Sequence, residues 1–262
     1  MPAWLAVTIL GVIEGVTEFL PISSTGHLLL VENAGWVSRQ SDLFNITIQS
    51  GAALAVLLAF GGRLRDLLAR RHEPAARAYL GKLGLAFGMT GVGGLAIKGL
   101  GFGLPKETAP IAWATLIGGV VILGVEWALR ARPSVSHVSW AMAAAVGLGQ
   151  LLAAVFPGTS RSAATILIIM LLGLSRPIAT EFSFLVGVPT LLAAGGLEML
   201  QALRHPAGPP TDWGLLALGT AVSAVTAFIA VRWLLRWIQT HSFVPFGWYR
   251  VALGLVLLTR LG

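Results

Sequence analysis

The sequence predicts an all-α integral membrane protein of inverted-topology repeats: six full transmembrane helices plus two re-entrant helix–loop–helix hairpins, ten helical segments in one polytopic domain, 1–262. Three observations predict it. Hydrophobic residues make up 56% of the chain and charged residues only 11%, at a mean hydropathy of +0.81, where soluble domains carry about 25% charge. Apolar runs of roughly 20 residues, each able to cross a hydrocarbon core of about 30 Å, recur along the chain. Two further apolar stretches are interrupted at matching places by proline, glycine and hydroxyl residues.

The elements follow in order. Met1-Pro2-Ala3-Trp4 has no basic n-region and no small-residue cleavage site, so residue 1 is expected to belong to the fold and not to a signal peptide. The stretch 4–34 is broken by Pro21-Ile22-Ser23-Ser24-Thr25-Gly26, leaving halves too short to span. Irregular backbone at membrane depth is tolerated only inside protein or along a polar cavity, which predicts a re-entrant hairpin, with a kinked helix as the alternative. Spans are predicted at 43–61, 81–101 and 109–129. A second broken stretch, 138–173, is interrupted by Pro157-Gly158-Thr159-Ser160-Arg161-Ser162, and spans follow at 179–201, 213–236 and 245–261. The nine tryptophans cluster near span ends, as an interfacial belt requires.

A shift of 136 places Gly11, Pro21 and Ser24 over Gly147, Pro157 and Ser160, and Glu14 over Gln150; a shift of 138 places Phe44 and Ala55 over Phe182 and Ala193. The repeats are about 1–129 and 138–262. Each holds one hairpin and three spans; three is odd, so the second copy starts on the opposite face, and interrupted helices at matching places point to a midplane site. Of the basic residues outside the two motifs, Arg39, Lys98, Lys106, Arg204 and Arg260 fall on one side. The other side collects Arg63, Arg65, Arg70, Arg71, Arg77, Lys82, Arg130, Arg132, Arg176, Arg232 and Arg236, and is expected to be cytoplasmic. The hairpins then enter from opposite faces, and their tips can meet.

The absence of cysteine excludes disulfides, thiolate metal sites and thiol nucleophiles. The net charge of +7 is expected to report loop orientation and anionic membrane lipids, with no nucleic-acid partner. Glu14 and Glu18 share one face of a half-helix in an otherwise apolar segment, a functional candidate by default and a suitable seat for Mg²⁺ or Ca²⁺. Ser23-Ser24-Thr25-Gly26 and Thr159-Ser160-Arg161-Ser162 open helices, where hydroxyls, free amides and a guanidinium make a cradle for phosphate. His27, three residues after Ser24, is a candidate base or acid. Glu32, Glu126 and Glu198 are expected to be solvated at the interface; Thr47 and Gln49 are candidates to line the cavity. Glu181 and Arg176 flank a helix start, and Tyr249-Arg250 is expected to be an interfacial anchor ahead of a phosphate contact.

The segment Glu14-Gly15-Val16-Thr17-Glu18-Phe19-Leu20-Pro21-Ile22-Ser23-Ser24-Thr25-Gly26-His27-Leu28 and the motif Pro157-Gly158-Thr159-Ser160-Arg161-Ser162 resemble the two signatures of the undecaprenyl-diphosphate phosphatases of the bacitracin-resistance type. The blocks FNITIQSGAALAV, GLSRPIATEFSFLVGVP and FGWYRVALG extend the resemblance over nearly the whole chain. It implies a multi-pass inner-membrane enzyme with interdigitated inverted repeats and a site open to the periplasm. Such an enzyme hydrolyses undecaprenyl diphosphate to undecaprenyl phosphate and inorganic phosphate, recycling the cell-wall lipid carrier and giving bacitracin tolerance. By the same resemblance Glu14 and Glu18 hold a divalent cation, Ser24 is the nucleophile, and His27 and Arg161 are essential; Ser23, Thr25, Gly26, Thr159, Ser160 and Ser162 are expected to bind substrate. Ala163 stands where the family usually has glycine, which puts close packing of the second tip in question. The alternatives are a polyprenyl-phosphate flippase or a phosphatase of another lipid diphosphate. Oligomeric state is open, and a homodimer is compatible with the sequence.

Overall fold

The computed structural model describes residues 1–100, 107–205 and 210–259, and within them each predicted apolar segment contains helix. Lys106 and Arg260, used in the charge count, lie outside the described residues. The first hairpin is α1 (Ala3–Thr17) and α2 (Ser24–Asn33); α3 (Asp42–Ala59), α4 (Gly61–Ala69), α5 (Pro74–Gly99) and α6 (Thr108–Ala128) follow. The second hairpin is α7 (Trp140–Val155) and α8 (Arg161–Leu171), followed by α9 (Arg176–Arg204), α10 (Trp213–Trp237) and α11 (Val244–Thr259). Eleven helices are thus described against ten expected. The addition is α4, whose arginines and Asp66 hid a one-sided apolar pattern from a search for spans. Helix α5 also begins seven residues before the predicted position, with Pro74 in its first turn, where a missing N–H costs nothing.

Five helices, α3, α5, α6, α9 and α10, are long and apolar enough to cross a membrane. Of the segment predicted at 245–261, the described residues as far as Thr259 form α11, and 260–261 lie outside the described residues. Polar residues set the starts: Ser41, Ser139 and Asp212 accept the amides of Phe44, Met142 and Leu215 and so satisfy donors that a helix leaves open.

The two halves are laced through each other. Helix α1 packs along α10, and α7 along α5, so each hairpin lies on a long helix of the other half; α11 packs along α6 and α3 against both α9 and α10. Thr226 Oγ1 lies 3.4 Å from the carbonyl of Gly11, and Thr90 Oγ1 lies 3.4 Å from that of Gly147. Both members of the first contact map onto the second by the offset of 136 residues. Small residues allow this approach in a lipid environment, where close packing and not apolar burial holds helices together. A β-carbon on Gly15 would sit 2.0 Å from Thr226 Oγ1 and 2.4 Å from the Ser223 carbonyl.

Most of both breaks is buried, with Thr25 and Phe156 exposed at their edges. Phe19, Leu20 and Ile22 of the first and Ala163 behind the second belong to the main buried cluster, with Phe184, Val186 and Val188 of α9. The non-helical backbone is therefore enclosed by protein, the condition under which an interrupted helix is tolerated.

Candidate active site

Two chain breaks build the site. Helix α1 ends at Thr17, and the chain runs through Glu18-Phe19-Leu20-Pro21-Ile22 to Ser23, which has φ +75°, a left-handed backbone unusual for a residue bearing a β-carbon. That turn lets Ser23 cap α2, its Oγ accepting the Gly26 amide at 3.3 Å. In the second hairpin Gly158 takes φ +90° and Ser160 caps α8, accepting the amide of Ala163 at 3.2 Å. The cap forms with alanine at 163, and its methyl is buried.

The tips are tied directly to each other. Ser162 Oγ donates to the Leu20 carbonyl at 2.9 Å, and Ser160 Oγ lies 2.9 Å from Ser162 Oγ and 3.4 Å from the same carbonyl. Glu18 stands between the reactive candidates. Its Oε1 accepts from Arg161 Nη2 at 2.9 Å and Nε at 3.3 Å, and its Oε2 accepts the hydroxyl of Ser24 at 2.5 Å. Glu14 is fully buried beside Glu18 and Ser24, and neither of its carboxylate oxygens has a hydrogen-bond partner. Arg161 Nη1 is buried and also without a partner. The guanidinium lies over the Phe19 ring at 5.4 Å, and the space it fills exists because residue 187 is glycine: a β-carbon there would fall 2.1 Å from Nη1.

His27 is not on Ser24. Its Nδ1 meets the Ser23 carbonyl at 2.7 Å and its Nε2 the Tyr249 hydroxyl at 2.7 Å, so the proton acceptor lying on the serine is Glu18. Of the predicted substrate-binding residues, Ser160 and Ser162 spend their hydroxyls on the tie to Leu20, and Gly26 spends its amide on Ser23. Thr25 is exposed, and Thr159 is half-buried with its amide on the Phe156 carbonyl.

Arg250, expected as an interfacial anchor, is 0% exposed. Its guanidinium donates to four carbonyls: Pro21 of the first tip (3.3 Å), Gly158 of the second (3.0 Å), and Ala114 (3.0 Å) and Thr115 (3.2 Å) of α6. Gly118 supplies the room, since a β-carbon there would lie 2.1 Å from Nη2. The anchor expectation fails because the head group turns inward, to one carbonyl in each helix break and to two on α6. Two of the carboxylates expected at the interface are also buried. Glu126 pairs with Arg176 and accepts the Phe243 amide, and Glu32 accepts the Gln40 amide, whereas Glu198 pairs with Lys98. Glu181 meets Arg63 and Tyr79, and Thr47 Oγ1 is buried without a partner.

The site thus sets a serine hydroxyl on a carboxylate, that carboxylate on an arginine with one free donor nitrogen, and a second carboxylate with free lone pairs beside them. This is equipment for attack on a multiply charged phosphoryl group. The two carboxylates suit a hard cation whose remaining ligands come from substrate oxygens; among the described residues no cluster of three or more acidic or histidine ligands occurs.

Comparison with known proteins points the same way. Residues 7–256 match the family model described as bacitracin resistance protein BacA. The chain is 49% identical over 256 residues to a Rhizobium etli protein named undecaprenyl-diphosphatase, covering 97% of this chain and 96% of that one. Proteins of the same name from Xylella fastidiosa (47% over 253 residues, 96% of each chain) and Xanthomonas axonopodis pv. citri (47% over 258 residues, 98% and 97%) are similar to it as well.

Proposed function

Since this chain belongs to the bacitracin resistance protein BacA family, we propose the following account of it as an undecaprenyl-diphosphatase, a membrane hydrolase that converts undecaprenyl diphosphate to undecaprenyl phosphate and inorganic phosphate. The observation that carries the chemistry is the unbroken line Ser24–Glu18–Arg161, reaching from one hairpin tip to the other. Ser24 attacks the terminal phosphorus while its proton passes to Glu18 Oε2. The bridging P–O bond breaks and undecaprenyl phosphate leaves with that bond's electrons. Arg161 turns Nη1 to the equatorial oxygens, which gather charge in a loose transition state. Glu18 gives the serine proton to the departing undecaprenyl phosphate and is again a carboxylate; a water then attacks the phosphoserine, its proton passing by way of Glu18 to Ser24 Oγ as the serine–phosphorus bond breaks and phosphate leaves.

Glu14 and Glu18 are the residues that would hold Mg²⁺ or Ca²⁺, with Glu14 contributing the lone pairs that nothing else uses. When bound, the cation supplies charge neutralisation for the diphosphate oxygens.

The enzyme works in the bacterial inner membrane with six spans and two re-entrant hairpins as inverted repeats, its site opening to the periplasm. The basic excess of the loops holding Arg63 to Lys82, Arg130 and Arg132 supports this orientation. Recycling the carrier there serves cell-wall synthesis and raises bacitracin tolerance.

The test is phosphate release from undecaprenyl diphosphate by purified protein, with and without EDTA, beside Glu18→Gln and Arg161→Ala. Metal-dependent release lost in both variants is the expected result; release that survives both removes the assigned chemistry. Orientation is checked by single cysteines at Ser38 and Ser136, which label cleanly because the chain has none of its own. Ser38 is expected to react from outside the cell and Ser136 only after permeabilisation.

A further inference from the structure

The adjacent residues Tyr249 and Arg250 of α11 reach the first hairpin tip at its two ends. Arg250 Nη1 donates to the Pro21 carbonyl at 3.3 Å, and Tyr249 meets His27, whose other ring nitrogen meets the Ser23 carbonyl. A carbonyl only accepts, so the proton at the His27–Ser23 contact is on Nδ1. In the neutral ring Nε2 is then an acceptor, and the 2.7 Å contact there is filled by the phenol as donor. The rings lie nearly parallel, 7° apart with centroids at 5.7 Å. Between the two grips sits Ser23 at φ +75°, whose successor carries the hydroxyl resting on Glu18. A residue held in such backbone persists only where its surroundings over-determine it.

Resting on the functional account above, we propose that Tyr249 is a positioning residue for the phosphatase reaction: its phenol fixes the His27 tautomer, and the imidazole in turn holds the strained Ser23 backbone that aims Ser24 at Glu18. His27 on this account works as a hydrogen-bond bridge, and the base of the serine is Glu18. The substitution that separates the roles is at 27 itself. Asparagine carries an N–H donor near the place of Nδ1 and has no basic nitrogen; glutamine places its amide nearer Nε2; alanine has neither.

Release of phosphate from undecaprenyl diphosphate is measured for wild type, Tyr249→Phe, and His27→Asn, Gln and Ala, on protein whose elution and melting match wild type. Tyr249→Phe is expected to lower kcat about ten-fold with KM little changed, the cost of one hydrogen bond. His27→Asn is expected to retain about ten-fold more activity than His27→Ala, with Gln no better than Ala. Histidine-selective ¹⁵N spectra without substrate, with the His27 signal identified by its loss in His27→Asn, are expected to show the Nδ1–H tautomer and its erosion in Tyr249→Phe. An Nε2–H tautomer in wild type, or Asn no better than Ala while wild type is active, overturns the proposal. An inactive wild type would instead fail the functional account, and the tautomer would still decide this one.

Discussion

A single oxygen or nitrogen decides most of what each site residue can do. Ser24→Ala removes the nucleophile but not Glu18 or Arg161, so turnover is expected to fall at least about 100-fold while the melting temperature holds; rapid-quench mass spectrometry should also lose the phosphoserine. Arg161→Lys keeps the charge but not the fork that bonds Glu18 and leaves Nη1 over, and kcat/KM is expected to drop about 100-fold. Gly187→Ala separates stability from activity. The three atoms nearest its methyl all belong to the end of the Arg161 side chain, so melting should fall less than in a backbone clash while turnover falls about ten-fold through displacement of Nη1. The acids, the serine and Arg161 were visible in the sequence because polar groups stand out against an apolar stretch. Gly187 and the Leu20 carbonyl were not, since one acts by having no side chain and the other belongs to the backbone that every residue shares.

At the scale of elements, an interrupted helix makes sense only together with the element that covers its break. The two breaks were legible because proline and glycine fall inside apolar stretches at equal offsets, and the helix boundaries agree with those breaks to within a few residues. Helix α4 was not legible as a helix: it is short, polar on most sides, and its identity rests on burying Leu67. The role of α11 was missed for another reason. Arg250 is conspicuous as a charge in an apolar segment, but its acceptors come from three places distant in sequence, and only the folded chain brings them together. The packing of α1 on α10 gives a direct test. Gly15→Val places atoms inside the space of Thr226 and the Ser223 carbonyl, backbone that cannot yield, and should destabilise the protein by about 1–3 kcal/mol, read as a lowered melting temperature in detergent.

Over the whole molecule, charge is distributed in two ways. Exposed arginines crowd α4, the start of α5 and the turns beside them, whereas inside the protein Arg161 and Arg250 converge on the two tips, one paired with Glu18 and the other held by carbonyls alone. The uneven spread of basic residues and the 136-residue offset between the two motifs are readable from composition and spacing. How the two halves interlock was not, because neither repeat carries a local mark of which partner helix it will meet. The interlock has a consequence for biosynthesis. Arg250 follows both tips in the sequence, and it binds Pro21 and Gly158 at once. A ribosome that has finished both hairpins but not α11 therefore carries a nascent chain with every residue of the Ser24–Glu18–Arg161 line and without the strut that bridges the tips.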